Sequence, residues 1–187
     1  MKTLHTERTA FHATDALART VELINVQRPS RLPGRPPTFA EVLRRHGEPL
    51  EPPIPADELE RFAAVLRELG SVFQLSDVDE AAEAVNGLLE RYCAPPRLMR
   101  HDGWPWHLHV DGGDDEPWHR WMGASGAFAL AGRLAGRQTV PWGVCDAPGC
   151  DQVFVHDDRG DPRRYCATRC ATRVRVARHR ERHLKRG

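Results

Sequence analysis

The chain has 187 residues, 40% hydrophobic and 28% charged, with a formal net charge of +1, which allows one medium domain plus a small appendage. No apolar run approaches the roughly eighteen residues that span a bilayer, and the N-terminal stretch MKTLHTERTAFHATD has no apolar segment that would mark export. A soluble chain in the cytoplasm is expected, where thiols stay reduced and clustered cysteines serve metals more often than disulfides.

In chain order, Thr14 or Asp15 caps a first helix running to about Gln27, with Leu17, Val21 and Ile24 on one face. RPSRLPGRPPT holds four prolines and a glycine and reads as a loop. FAEVLRRHG gives a short helix ending at Gly47, and EPLEPPIP is a second proline-rich break. ADELERFAAVLRELG then sets Leu59, Phe62, Ala63, Leu66 and Leu69 at helical spacing, with Gly70 as the stop. Ser76 opens a capping box, S-D-V-D. The helix it starts carries Val85, Leu88 and Leu89 and ends near Cys93. PWHLHV (105–110) alternates as a strand does, and RLMRH is its candidate partner. Pro117 suits the first position of a helix that carries Trp121, Phe128, Leu130 and Leu134. The small residues at 123–127 imply close packing.

Four cysteines stand in two pairs, Cys145/Cys150 and Cys166/Cys170, with spacings C-x4-C and C-x3-C. Zinc takes four ligands tetrahedrally, thiolate suits it, and four cysteines close the sphere as structural sites do. Pro148 and Gly149 supply the turn that folds the first pair onto one ion. QVFVH (152–156) reads as a strand returning from that turn, and DDRGDP as the next turn. Four-residue spacing sets Cys166 and Cys170 on one face of a helix's first turn. Unligated buried cysteines and an iron–sulfur cluster are the alternatives. Cys93, far from the quartet, reads as a small buried hydrophobe.

The second cysteine pair opens a strongly basic run. Residues 162–187 hold ten Lys or Arg against one acid, Glu181, while the other 161 residues hold seventeen basic and twenty-five acidic side chains. Such an asymmetry points to an acidic body with a nucleic-acid-binding end. Cys170, Val174, Ala177 and Leu184 form a seam at helical intervals, with Val174 and Ala177 expected to pack on the hairpin near Phe154 and Tyr165. Arg169, Arg173 and Arg180 flank the seam on one side, and Arg175, Arg178 and Arg182 on the other. With Arg163 and Arg164 from the preceding loop, these are the candidate nucleic-acid contacts, since guanidinium forks match phosphates and guanine edges. A solvated tail, or a face bound to the chain's own acidic body, are the plainer readings.

From Trp142 to Arg182 the sequence resembles the CGNR-type zinc finger proteins, bacterial transcription regulators associated with stress that join a helical N-terminal domain to a C-terminal finger. The naming motif here reads Cys170-Ala171-Thr172-Arg173, keeping cysteine and arginine while replacing Gly and Asn. The resemblance implies one structural Zn2+ on Cys145, Cys150, Cys166 and Cys170, and DNA binding by the finger.

In the body, His101, His107, His109 and His119 and Trp104, Trp106, Trp118 and Trp121 crowd into twenty-one residues. A hydrophobic core with histidines at its wet edge is the plain reading. A small-molecule pocket with Trp106, His107, His109, Trp118 and Trp121, or a second metal site of His107, His109 and Asp111, are the sharper ones. No nucleophile–base pairing, Gly-rich phosphate loop or HExxH motif occurs, so no enzyme is expected. The expected architecture is mainly α: a helical sensor or dimerisation domain with a small β-sheet over 1–140, and a treble-clef-like zinc finger of β-hairpin and basic helix over 141–187. The expected partners are DNA and a small effector, with no membrane and with a homodimer in view. The rival readings are a pocket or metal-dependent enzyme centred on 101–121, and an RNA or protein-interaction module using the basic helix.

Overall fold

The structure, a computed structural model, describes residues 13–30, 34–48, 53–100, 106–113, 115–157 and 162–184, with the side chains of 13–15 excepted. The capping side chains of Thr14 and Asp15, His101, Trp104, Lys185, Arg186 and most of the DDRGDP turn lie outside these residues. Among the described residues six helices and two two-stranded antiparallel sheets follow one another as α1 (Ala13–Val26), α2 (Phe39–Arg45), α3 (Ala56–Ser71), α4 (Val78–Tyr92), β1 (Arg97–Met99), β2 (His107–His109), α5 (Trp118–Leu134), β3 (Trp142–Val144), β4 (Val153–Val155) and α6 (Thr168–Leu184). The mainly helical architecture with its small sheet is therefore as expected. No helix among the described residues is long and apolar enough to cross a membrane.

Several boundaries differ from the expectations for local reasons. α3 passes through Gly70 and runs into a 3-10 turn, Val72–Gln74. Gly70 is there for space, since a Cβ would stand 3.1 Å from Ile24 Cγ2 and from Arg28 Nη2. Leu59 is exposed, whereas Phe62, Leu66 and Leu69 are buried; the apolar stripe of α3 is narrower than its spacing implied. α4 is capped by Asp77 rather than Ser76, because Asp77 Oδ1 accepts from the backbone N–H groups of Asp79 and Glu80 at 2.9 and 3.0 Å. Pro117 is the N-cap of α5, one position before the expected one, and has no capping side chain. Glu58 of α3 does that work from a distance, accepting at 2.7 Å from both the backbone N–H and Nδ1 of His119.

The core forms because α5 is apolar on nearly every side. It packs against α1, α3 and α4, and Met122, Ala124, Ala127 and Leu130 are wholly buried. A helix surrounded in this way needs small residues where its neighbours cross it. At Gly123 a Cβ would lie 2.4 Å from Tyr92 Cγ of α4, and at Gly126 it would lie 2.6 Å from Leu69 Cδ1 of α3. The glycines thus lower helix propensity by up to about 1 kcal/mol each but let three helices meet closely.

The β3–β4 hairpin is sewn onto this body. Trp142 and Val153 join the helical core cluster, and Trp142 donates through Nε1 to Val72 O at 3.1 Å. Asn25, near the end of α1, treats Val153 as a strand partner: its Oδ1 accepts from Val153 N at 2.8 Å and its Nδ2 donates to Val153 O at 2.9 Å. Gln152 Nε2 donates in turn to Arg28 O at 2.9 Å and Asn25 O at 3.2 Å, satisfying carbonyls that the end of α1 leaves open.

Replacing Gly123 with Ala drives a methyl into the Tyr92 ring and should cost about 1–3 kcal/mol. Gly87→Ala, on the exposed side of α4 with nothing within 4 Å, should instead add about 0.4–1 kcal/mol. Urea unfolding midpoints of the two variants should move in opposite directions; equal shifts would contradict the close crossing.

Candidate metal centre and basic helix

The C-terminal pieces meet at four sulfurs. Cys145 follows β3 directly, and its backbone N–H donates to Gln152 O at 3.0 Å, closing the knuckle. Inside that loop Gly149 takes φ +70°, a left-handed conformation that glycine adopts without the strain of a side chain, and Cys150 N donates to Ala147 O at 3.0 Å. Cys166 lies two residues before α6 rather than within its first turn, while Cys170 is inside the helix. The second pair is thus presented by the approach to a helix and by the helix itself.

The spacing of the sulfurs fits one ion. Cys150 and Cys166 stand 3.8 Å apart, Cys166 and Cys170 3.8 Å, Cys150 and Cys170 3.9 Å, and all four sulfurs lie within 4.8 Å of one another. A tetrahedron with metal–sulfur bonds of about 2.3 Å has edges of about 3.8 Å. All four cysteines are free thiols, and these separations are far beyond the ~2.05 Å of a disulfide. They also leave no room for several irons. Cys145, Cys150 and Cys170 are buried, at 6%, 1% and 0% exposure, so the ion would be shielded from water on all but the Cys166 side. The four cysteines can bind one zinc ion in a closed, structural arrangement.

Burial, and then the neighbouring sulfurs Cys145 and Cys170, push the Cys166 thiol far up. Burial is also the leading cause that raises Cys170. Without metal, then, both groups are neutral at pH 7, and zinc must displace protons to bind. Cys93 stands apart, half-buried at the end of α4, its thiol 3.6 Å from Ala124 O and pushed up to about 11 by burial. It packs against the edge of the helical core, less buried than expected.

Around the sulfurs the packing is thin: Ala147, Tyr165 and Val174 complete the cluster. Val174 meets the expectation for the α6 seam, and Tyr165 packs on the same cluster. Ala177 and Leu184 do not, being exposed, Leu184 at 82%. The helix leaves its support after about two turns and has nothing below it to cover. Arg169, Arg175, Arg178, Arg180 and Arg182 are exposed and Arg173 is half-buried. Arg163 donates to Val155 O and lies 5.6 Å over the Phe154 ring, while Arg164 Nε donates to Asp146 Oδ2 at 2.8 Å. Both loop arginines are exposed beside the knuckle.

The remaining sequence candidates lie elsewhere. Trp106 is 64% exposed, His107 and His109 form a half-buried pair on β2, and Trp118 and Trp121 stack edge to face at 5.3 Å against the core. A cavity of about 680 Å3 opens between α1, α5, β4 and the Cys166–Ala167 stretch, and none of those five side chains lines it. Sequence reasoning missed it because its wall joins residues far apart in the chain, such as Leu17, Ala129 and Phe154.

Cys170→Ser should remove one zinc per chain by metal analysis and unfold the finger, while the helical signal of the body persists. Because the displaced protons compete, zinc retention should be complete at neutral pH and fall away as the pH drops. Metal content after dialysis across a pH series checks this, and retention rising toward acid would contradict it.

No curated protein matches the chain. The CGNR zinc finger family matches residues 142–183, the stretch that holds the hairpin, the four sulfurs and all but the last residue of α6.

Proposed function

We propose that the chain is a zinc-dependent DNA-binding transcription regulator, in which a helical body (1–140) holds the finger (141–187) against the duplex. The observation that carries this reading is the arrangement of side chains around α6. At 100° per residue, Cys170 and Val174 mark the side facing the zinc cluster. The opposite ridge is Thr172, Val176, His179 and His183, and Val176 is 43% exposed. Arg169, Arg173 and Arg180 border that ridge on one side, Arg175, Arg178 and Arg182 on the other. A helix built this way suits the major groove. Its flanks reach phosphates on both strands, while its ridge meets base edges, Val176 matching a thymine methyl. Arg163 and Arg164 extend the positive surface at the knuckle.

A subordinate role, sensing a small effector, is supported by the 680 Å3 cavity, which is within the usual size of ligand sites and touches both α1 and Cys166. An occupant there would press on the helical body and on a zinc-binding cysteine together.

Binding to random duplex DNA, measured by fluorescence anisotropy across salt, tests the main reading. The affinity should fall steeply with salt, and each of Arg175→Ala, Arg178→Ala and Arg182→Ala should lower the log–log slope by about one. An unchanged slope in the triple variant would overturn the proposal, and equal or tighter binding to single-stranded RNA would move it to the RNA-binding rival.

A further inference from the structure

The β1–β2 hairpin carries a histidine pair to which the finger gives no task. In the antiparallel register Arg97 stands opposite His109 and Met99 opposite His107, so these four side chains share one face of the ribbon. On that face the Nε2 atoms of His107 and His109 converge to 2.8 Å. The other nitrogen of His109, Nδ1, is 2.9 Å from Asp111 Oδ2. Asp111 is itself held: Oδ1 accepts from Arg97 Nη2 at 3.1 Å and from Gly113 N at 3.2 Å, and its carbonyl accepts from Arg97 Nη1 at 2.8 Å. Its side chain is 16% exposed and that of His109 20%.

We propose that His107 and His109 form a second metal site, specific for a late first-row divalent transition ion and separate from the four-cysteine centre. A carboxylate that accepts the Nδ1–H of a histidine fixes its tautomer and leaves the lone pair on Nε2, the usual support behind a metal-bound imidazole. Here that lone pair faces the Nε2 of His107, so the two rings compete for one proton between them. An ion that takes the proton's place gains two imidazole nitrogens, with water completing its shell. Two nitrogens without a thiolate select copper, nickel or zinc over calcium or magnesium.

A second histidine pair sharpens the assignment. His179 and His183 on α6 also face each other through Nε2, at 3.2 Å, but both are exposed, and among the described residues no carboxylate supports either ring. Geometry alone would favour both pairs, whereas orientation by a carboxylate favours only the first.

Ni2+ is the suitable probe, because it binds imidazole and is not reduced by thiols. Zinc-loaded full-length protein, titrated with Ni2+ by calorimetry, should take up one nickel per chain beyond its zinc. His107→Ala with His109→Ala should abolish that uptake, and Asp111→Asn should weaken it at least tenfold. His179→Ala with His183→Ala should leave that uptake unchanged. In the unaltered protein, paramagnetic Ni2+ should broaden the imidazole 1H–15N signals of His107 and His109 first, a readout that needs no variant to fold. The proposal is overturned if no nickel binds, if the double variant at 107 and 109 retains it, or if the α6 signals broaden first.

Discussion

Four sulfur atoms placed to surround one ion are the constraint on which the C-terminal quarter depends. The apolar cluster at the sulfurs amounts to a few side chains, Ala147, Tyr165 and Val174 around the cysteines, too little by itself to offset the entropy of ordering the knuckle and the start of α6. A zinc–thiolate centre fills that gap, since binding free energy in such modules serves as folding free energy. The sulfurs join the knuckle after β3, the approach to α6 and α6 itself, and Asp146 N–H donating to Arg164 O at 2.9 Å adds a backbone tie between the first two. Once Cys170 is fixed, the direction of the whole basic helix is fixed.

A second attachment determines what that helix is rigid against. The hairpin is held to the body through Trp142 in the helical core and through the reciprocal pairing of Asn25 with Val153. Metal and body thus grip the hairpin side by side, with Asp151, Gln152 and Val153 tied to the end of α1 directly after Cys150. The outer half of α6 receives neither kind of support. Its arginines repel one another at positions such as Arg178 and Arg182, four residues apart, at a cost of a few tenths of a kcal/mol per pair. A polyanion would remove that cost, so the helix should be most stable when it is bound.

Much of this was legible in the sequence, and the failures share a cause. The cysteine spacing, the Pro-Gly knuckle and the arginine run are local signals, and they located the metal centre and the basic helix. The small residues of α5 announced close packing, and Gly123 and Gly126 bear it out against Tyr92 and Leu69. What could not be read depends on partners distant in sequence. Glu58 caps α5 across sixty-one residues, Asn25 pairs with Val153 across 128, and neither has a periodic signature. The seam that periodicity predicts for α6 is too long for the same reason: periodicity gives a face, but the support for that face ends near Val174.

The central claim, one ion held by four thiolates, is tested most directly by zinc K-edge X-ray absorption on the purified full-length protein. The account predicts a single shell of four sulfurs at about 2.3 Å. A shell containing nitrogen or oxygen in place of any of those sulfurs, with one zinc per chain, would contradict it.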